Sequence, residues 1–168
     1  MRVTRYVPAT LASSTRGIAS GGETATIDYT TISSGGGAND FGNISKTIGT
    51  SVGLSDSTRG VFAGGYAPSP VNARTNTIEF ITIASTGNAT GFGSLMEPNA
   101  HVAACASPTR GLIMGGHTPN NVNTIQFVTI ATTGNSQDFG DLLNGSRQGC
   151  GLSNTTRGIH AGGSGSLN

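Results

Sequence analysis

The sequence predicts an all-β protein built from a repeated four-stranded unit. Three observations carry that prediction. Thr-Arg-Gly occurs four times, at residues 15–17, 58–60, 109–111 and 156–158. A Thr-Ile block with a central aromatic or acidic–aromatic step recurs as TIDYTTI, TIEFITI and TIQFVTI. Glycine supplies 27 of 168 residues, only 10% are charged, and no segment carries a helical apolar period. Glycine with Thr, Ile and Val favours short strands and tight turns, and self-similarity at a near-constant period marks a repeat architecture.

The repeat is rigid in all but one place. The four arginines, Arg16, Arg59, Arg110 and Arg157, stand 43, 51 and 47 residues apart. A glycine pair always begins five residues after the arginine, and its second members are Gly22, Gly65, Gly116 and Gly163. Each Thr-Ile block ends nine residues before a Phe-Gly, and each of those phenylalanines precedes the next arginine by 18 residues. The step from the glycine pair to the next block is 4, 12 and 8 residues, and subtracting it leaves 39 every time. One loop therefore takes all the length variation. Insertions at a single point of a repeat map to loops on one face, often the binding face.

Within the unit, strand A carries apolar residues two apart: Ala9 and Leu11, Val52 and Leu54, Ala103 and Cys105, Cys150 and Leu152. Strand B is the short run after Arg-Gly. Strand C is the Thr-Ile block, with Ile27 and Tyr29 and their counterparts on one face and Ile32, Ile83 and Ile130 ending the other. Apolar residues on both faces predict that both are covered. Strand D surrounds the Phe-Gly, and the Gly, Ser and Asn between C and D read as a turn.

Four strands per 40–50 residues, repeated radially, is the pattern of a β-propeller blade. The predicted blades are residues 1–43, 44–94 and 95–141, with strands A and B of a fourth at 142–168. A half blade leaves an open edge that asks for a neighbour, another protein or a second copy of the chain. The glycine pair after strand B, the variable loop and the aromatic strand fit a kelch-type blade. The combination TRGVFAGG…NTIEFITIASTGNATGFG resembles the kelch-like repeats of structural and tail-fibre-like proteins of marine tailed phages, those of cyanophages especially. The resemblance spans nearly the whole chain. It implies a non-enzymatic virion protein, a tail-fibre or surface component, with other virion proteins as partners and host attachment as a possible use of its loops.

Composition narrows the function classes. A net charge of +1 argues against nucleic-acid and acidic-membrane partners. No run approaches the roughly 20 apolar residues of a membrane helix, and the N-terminus lacks a signal-peptide core. Two cysteines without a CxxC give no zinc pattern; both replace strand-A hydrophobes and are expected in the core. The three histidines occupy three different repeat positions, so no catalytic, cofactor or metal constellation is predicted. Sequons at Asn43, Asn88, Asn144 and Asn154 are expected by chance in so Asn- and Thr-rich a chain.

The arginines and glycine pairs could be read as anion or phosphate sites. A residue present in every unit is better explained as scaffold: the arginine braces a turn or the neighbouring blade, and the glycines let strand B bend into the loop. Binding is expected instead in the variable loops. YAPSPVNARTN offers Tyr66, Asn72 and Arg74, and HTPNNVN offers His117, Asn120 and Asn121. A ring to stack on and amides to bond hydroxyls suit a sugar, so a host-surface glycan, or the ligand of a lectin-like module outside any virion, is the expected partner.

Overall fold

Each run picked out by the repeat forms a strand, because its β-branched and apolar residues alternate and glycine or Asn-rich segments bound it. The computed structural model describes residues 4–165, and no helix occurs among them. Met1 and Asn168, the predicted outer bounds of the repeat array, lie outside the described residues.

The first sheet comprises β1 (Ala9–Ala12), β2 (Arg16–Ser20), β3 (Thr24–Thr31) and β4 (Asn39–Ile48). The second comprises β5 (Val52–Ser55), β6 (Arg59–Ala63), β9 (Thr77–Thr82) and β10 (Thr90–Ser94), with a small hairpin, β7 (Tyr66–Ala67) and β8 (Ala73–Arg74), in the loop after β6. The third comprises β11 (Ala103–Ala106), β12 (Arg110–Met114), β13 (Thr124–Thr129) and β14 (Gln137–Asp141). Beyond it β15 (Ser146–Arg147) pairs with β18 (Ser164–Gly165), and β16 (Cys150–Ser153) with β17 (Gly158–Ala161).

All three four-stranded sheets are antiparallel meanders in one register. Leu11, Ile18 and Tyr29 stand in line across the first, Leu54, Val61 and Phe80 across the second, and Cys105, Leu112 and Phe127 across the third. A β-bulge falls at Phe41, Phe92 and Phe139, the phenylalanine of each Phe-Gly. The bulge turns that ring onto the strand-C aromatic, edge to face, at 6.0–6.1 Å between centroids. The first sheet differs in one respect. Its β4 runs on through residues 43 and 44, and Ile48 pairs with Thr24.

Consecutive sheets pack face on face. Leu11, Ile18, Ile27, Phe41 and Ile44 bury against Phe62, Ile81 and Ile83 of the second sheet. Leu54, Val61, Ile78, Phe92 and Leu95 bury against Ile113, Val128 and Ile130 of the third. Burying one such side chain contributes roughly 1.5–3 kcal/mol, and these two layers hold most of the buried apolar side chains among the described residues.

Two expectations of burial require correction, those for Ile32 and Cys150. Ile32 is 55% exposed and Phe139 50% exposed, whereas Ile83, Ile130, Phe41 and Phe92 are at most 4%. The exposed pair lies on the outward faces of the first and third sheets, which no described four-stranded sheet covers. Cys150 is exposed for the same reason, while Cys105 is buried beneath β16 and β17. The prediction that strand C is covered on both faces therefore holds for the second sheet and fails on the outer faces of the array.

Candidate functional site at the loop end

Two of the Thr-Arg-Gly arginines, Arg16 and Arg59, lie between sheets. Arg16 stacks on Tyr29, Arg59 on Phe80 and Arg110 on Phe127, with 4.4–4.6 Å from guanidinium carbon to ring centroid. Arg16 Nη1 donates to the Ile83 carbonyl at 2.7 Å, and Arg59 Nη1 to the Ile130 carbonyl at 2.9 Å. Each donor thus reaches the end of strand C in the following sheet, rather than carbonyls of its own A–B turn. The adjoining glycine makes room in the other direction. A Cβ on Gly60 would meet Leu11, and one on Gly111 would meet Leu54, each a strand-A leucine of the preceding sheet. Arg157 is exposed.

The glycine pairs are left-handed at both positions. Gly64 and Gly65 have φ of +61° and +117°, and Gly115 and Gly116 of +63° and +110°, a region that costs other residues 1–2 kcal/mol or so. Gly22 and Gly163 are likewise left-handed. The second amide of the pair is engaged: Gly65 N–H donates to the Asn99 carbonyl at 2.8 Å and Gly116 N–H to that of Ser146 at 2.7 Å. Those amides are spent on the next unit, not offered to a phosphate. The glycine of Phe-Gly is also contact-driven. A Cβ on Gly42 or Gly93 would strike the carbonyl of Gly87 or Gly134 in the next sheet. There Asn88 and Asn135 cap the strand-D amides of Asn43 and Ser94 at 3.0 Å, so the sequon at Asn88 is a structural cap.

The variable loops gather at one end of the molecule. Tyr66 pairs with Arg74 across β7 and β8, which puts both side chains on one side of the hairpin. The Tyr66 hydroxyl lies 3.4 Å from Asn72 Oδ1. Arg74 Nη2 meets His117 Nδ1 at 2.5 Å, so residues of the two candidate loops touch. Arginine can only donate, so Nδ1 accepts and His117 is the neutral Nε2–H tautomer. Asn121 is drawn away, its Nδ2 donating to the Ser164 carbonyl at 3.0 Å. Asn120 is exposed at the loop tip, and its carbonyl accepts the Thr118 amide.

Two further residues join this cluster. His101 and Arg147 precede β11 and β16. Buried Asn99 fixes the His117 backbone by accepting its amide at 2.8 Å while donating to the Gly115 carbonyl. Ala100 bridges to His117, which seats His101 beside it, and the Gln148 amide donates to the His101 carbonyl at 2.8 Å, which brings in Arg147. Burial lowers the pKa of His101 from its ordinary value, and Arg147, His117 and Arg74 lower it further. Burial, then Arg74 and Arg147, do the same to His117. The Nε atoms of Arg74 and Arg147 are buried without a hydrogen-bond partner.

The sequence hides this rim. Val7, Thr50, His101 and Gln148 occupy one repeat position, nine residues before each arginine, and all are left-handed with φ of 49–60°. None is Gly or Asn, so no turn signal announces them. Thr50 N–H donates to Val7, His101 N–H to Thr50 and Gln148 N–H to His101, at 3.2, 3.1 and 2.8 Å. Successive units are thus tied in a row where the cationic side chains sit. Non-glycine residues in this region store strain of order 1–3 kcal/mol and concentrate at functional sites.

Among the described residues no group of three or more His, Cys, Asp or Glu side chains could hold a metal ion. No known family model matches the chain, and no curated protein matches it significantly.

Proposed function

We infer that this chain is a non-enzymatic structural protein of a phage particle, a tail-fibre or surface component built of kelch-like β-propeller blades, with its loop end offered to a host surface. The observation that carries the scaffold reading is the forward reach of Arg16 and Arg59 into the next sheet. A unit so built is complete only beside another. The radial arrangement draws further support from β1, β5, β11 and β16, whose residues border one cavity of about 250 Å³. Units of the same kind, on the same polypeptide or a second copy, or another virion protein, would cover Ile32 at one outer face and Phe139, Leu152 and Ile159 at the other.

The virion setting rests on the likeness of TRGVFAGG and its partner blocks to phage repeats. Mass spectrometry and antibody labelling of purified particles test it: the protein is expected at fixed stoichiometry on the tail or surface, and its absence from particles would defeat the reading. The contact between Arg74 and His117 favours a second reading. A lectin-like module outside any virion would use the same loops, and glycan binding by a protein absent from particles would support it.

A further inference from the structure

We propose that Arg74, Arg147, His101 and His117 form a binding site for the carboxylate of an acidic sugar within a glycan chain, with Tyr66 as its stacking platform. The inference rests on the reading that the loop end is the binding face, and it names the chemical class of ligand.

The argument starts from charge. This chain is nearly neutral and has nine basic residues, yet two arginines and two histidines from three successive units meet at one rim. The charges that bear on His101 are Arg147, His117 and Arg74, and those that bear on His117 are Arg74 and Arg147. No carboxylate is among them. Structural arginines elsewhere in the molecule have partners: Arg16 and Arg59 have carbonyls and rings, and Arg5 has Asp28 at 3.0 Å. Arg74, Arg147 and Arg5 all keep a buried, unbonded Nε–H, but Arg5 is neutralised by Asp28, whereas among the described residues no carboxylate pairs with Arg74 or Arg147. Nε–H with its neighbouring Nη–H is the edge of guanidinium that grips a carboxylate with two parallel bonds. Such a donor is costly to leave unmade, so a partner on this edge stabilises the site.

The surroundings select a sugar over a bare ion. Tyr66 lies across the β7–β8 ladder from Arg74, and Asn72 lies against its hydroxyl. A phenol face beside a guanidinium suits a pyranose ring with an acidic substituent. His117 presents Nε2–H as a further donor, because its Nδ1 is taken by Arg74. Burial and Arg147 lower the pKa of His101 in the free protein, and a bound anion favours its protonated form. Binding is therefore proton-linked and strengthens on mild acidification, while a uronate carboxylate stays ionised.

Calorimetric titration of the folded protein with tetragalacturonate, the neutral maltotetraose, monomeric galacturonate and inorganic sulfate tests the proposal. The acidic tetrasaccharide is expected to bind, with affinity that falls as salt rises and increases several-fold between pH 7.5 and 5.5. Arg74→Gln and Arg147→Gln should each weaken it at least tenfold. Arg157→Gln, which removes an exposed arginine outside the cluster, should leave it unchanged, and circular dichroism confirms that each variant is folded. Equal affinity for sulfate or monomeric galacturonate would overturn the glycan assignment. Binding of maltotetraose that depends on Tyr66 but not on Arg147 would overturn the acidic site and leave the loop-end reading standing. Binding of no saccharide would overturn both.

Discussion

Replacing Arg59 with alanine removes two interactions at once. Its Nη1 leaves the Ile130 carbonyl, now bonded at 2.9 Å, and its guanidinium leaves the face of Phe80, now 4.4 Å from the ring centroid. A hydrogen bond from a charged donor contributes about 1.5–3 kcal/mol net, and a half-buried cation–π contact about 0.5–2 kcal/mol. The change should cost about 2–5 kcal/mol. Arg110 supplies the control inside the same molecule. It stacks on Phe127 at 4.6 Å, is exposed, and bonds through its side chain to no further sheet among the described residues. Arg110→Ala should cost only about 0.5–1 kcal/mol. Urea unfolding followed by far-ultraviolet circular dichroism measures both, provided the slope m is unchanged. Arg59→Lys should fall between, since an ammonium reaches one carbonyl but stacks poorly. Equal losses for Arg59→Ala and Arg110→Ala would refute the idea that the forward bond to the next sheet is what the motif supplies.

Three further outcomes follow from the same geometry. Gly111→Ala sets a Cβ 2.5–2.6 Å from the Leu54 methyls, whereas Gly17→Ala meets only Thr30 at 3.5 Å; the first should lose about 1–3 kcal/mol by overpacking and the second almost nothing, as thermal unfolding would show. His101 and His117 titrate below their unfolded value of about 6.5, so the unfolded chain binds the extra protons. Their contribution is full above that value and is lost as pH falls toward the folded values, so urea midpoints should drop below pH 6.5 and drop less in His101→Gln. In the native protein one thiol, the exposed Cys150, should react promptly with a disulfide reagent, while burial both shields Cys105 and raises its pKa; two fast thiols would contradict the described packing.

Much of the strand plan was legible because glycine and β-branched residues speak locally. Phe-Gly marks strand D, the glycine pair marks the bend out of strand B, and the Thr-Ile block alternates between faces, whereas the bulge at each of those phenylalanines shows only in the strand pairing. What stayed hidden depends on neighbours. Nothing local distinguishes Cys105 from Cys150, or Ile83 from Ile32; a covering sheet makes the difference. Arg74 and His117 are singled out by their loops, but Arg147 sits 73 residues beyond Arg74, and backbone bonds from Gln148 to His101 and from Gly116 to Ser146 bring it near. Arg5 and Asn99 illustrate the same limit. Both stand eleven residues before a Thr-Arg-Gly arginine, and both donate to the first carbonyl of their glycine pair, Gly21 and Gly115. Their side chains share only the ability to donate, which a comparison of letters does not reveal.

Scaffold arginines and binding arginines are separated most directly by nuclear magnetic resonance of the guanidinium Nε–H groups during titration with tetragalacturonate. The account predicts that the Arg74 and Arg147 signals shift and gain protection while those of Arg16, Arg59 and Arg110 stay in place. Shifts at the three repeat arginines with none at Arg74 and Arg147 would contradict it.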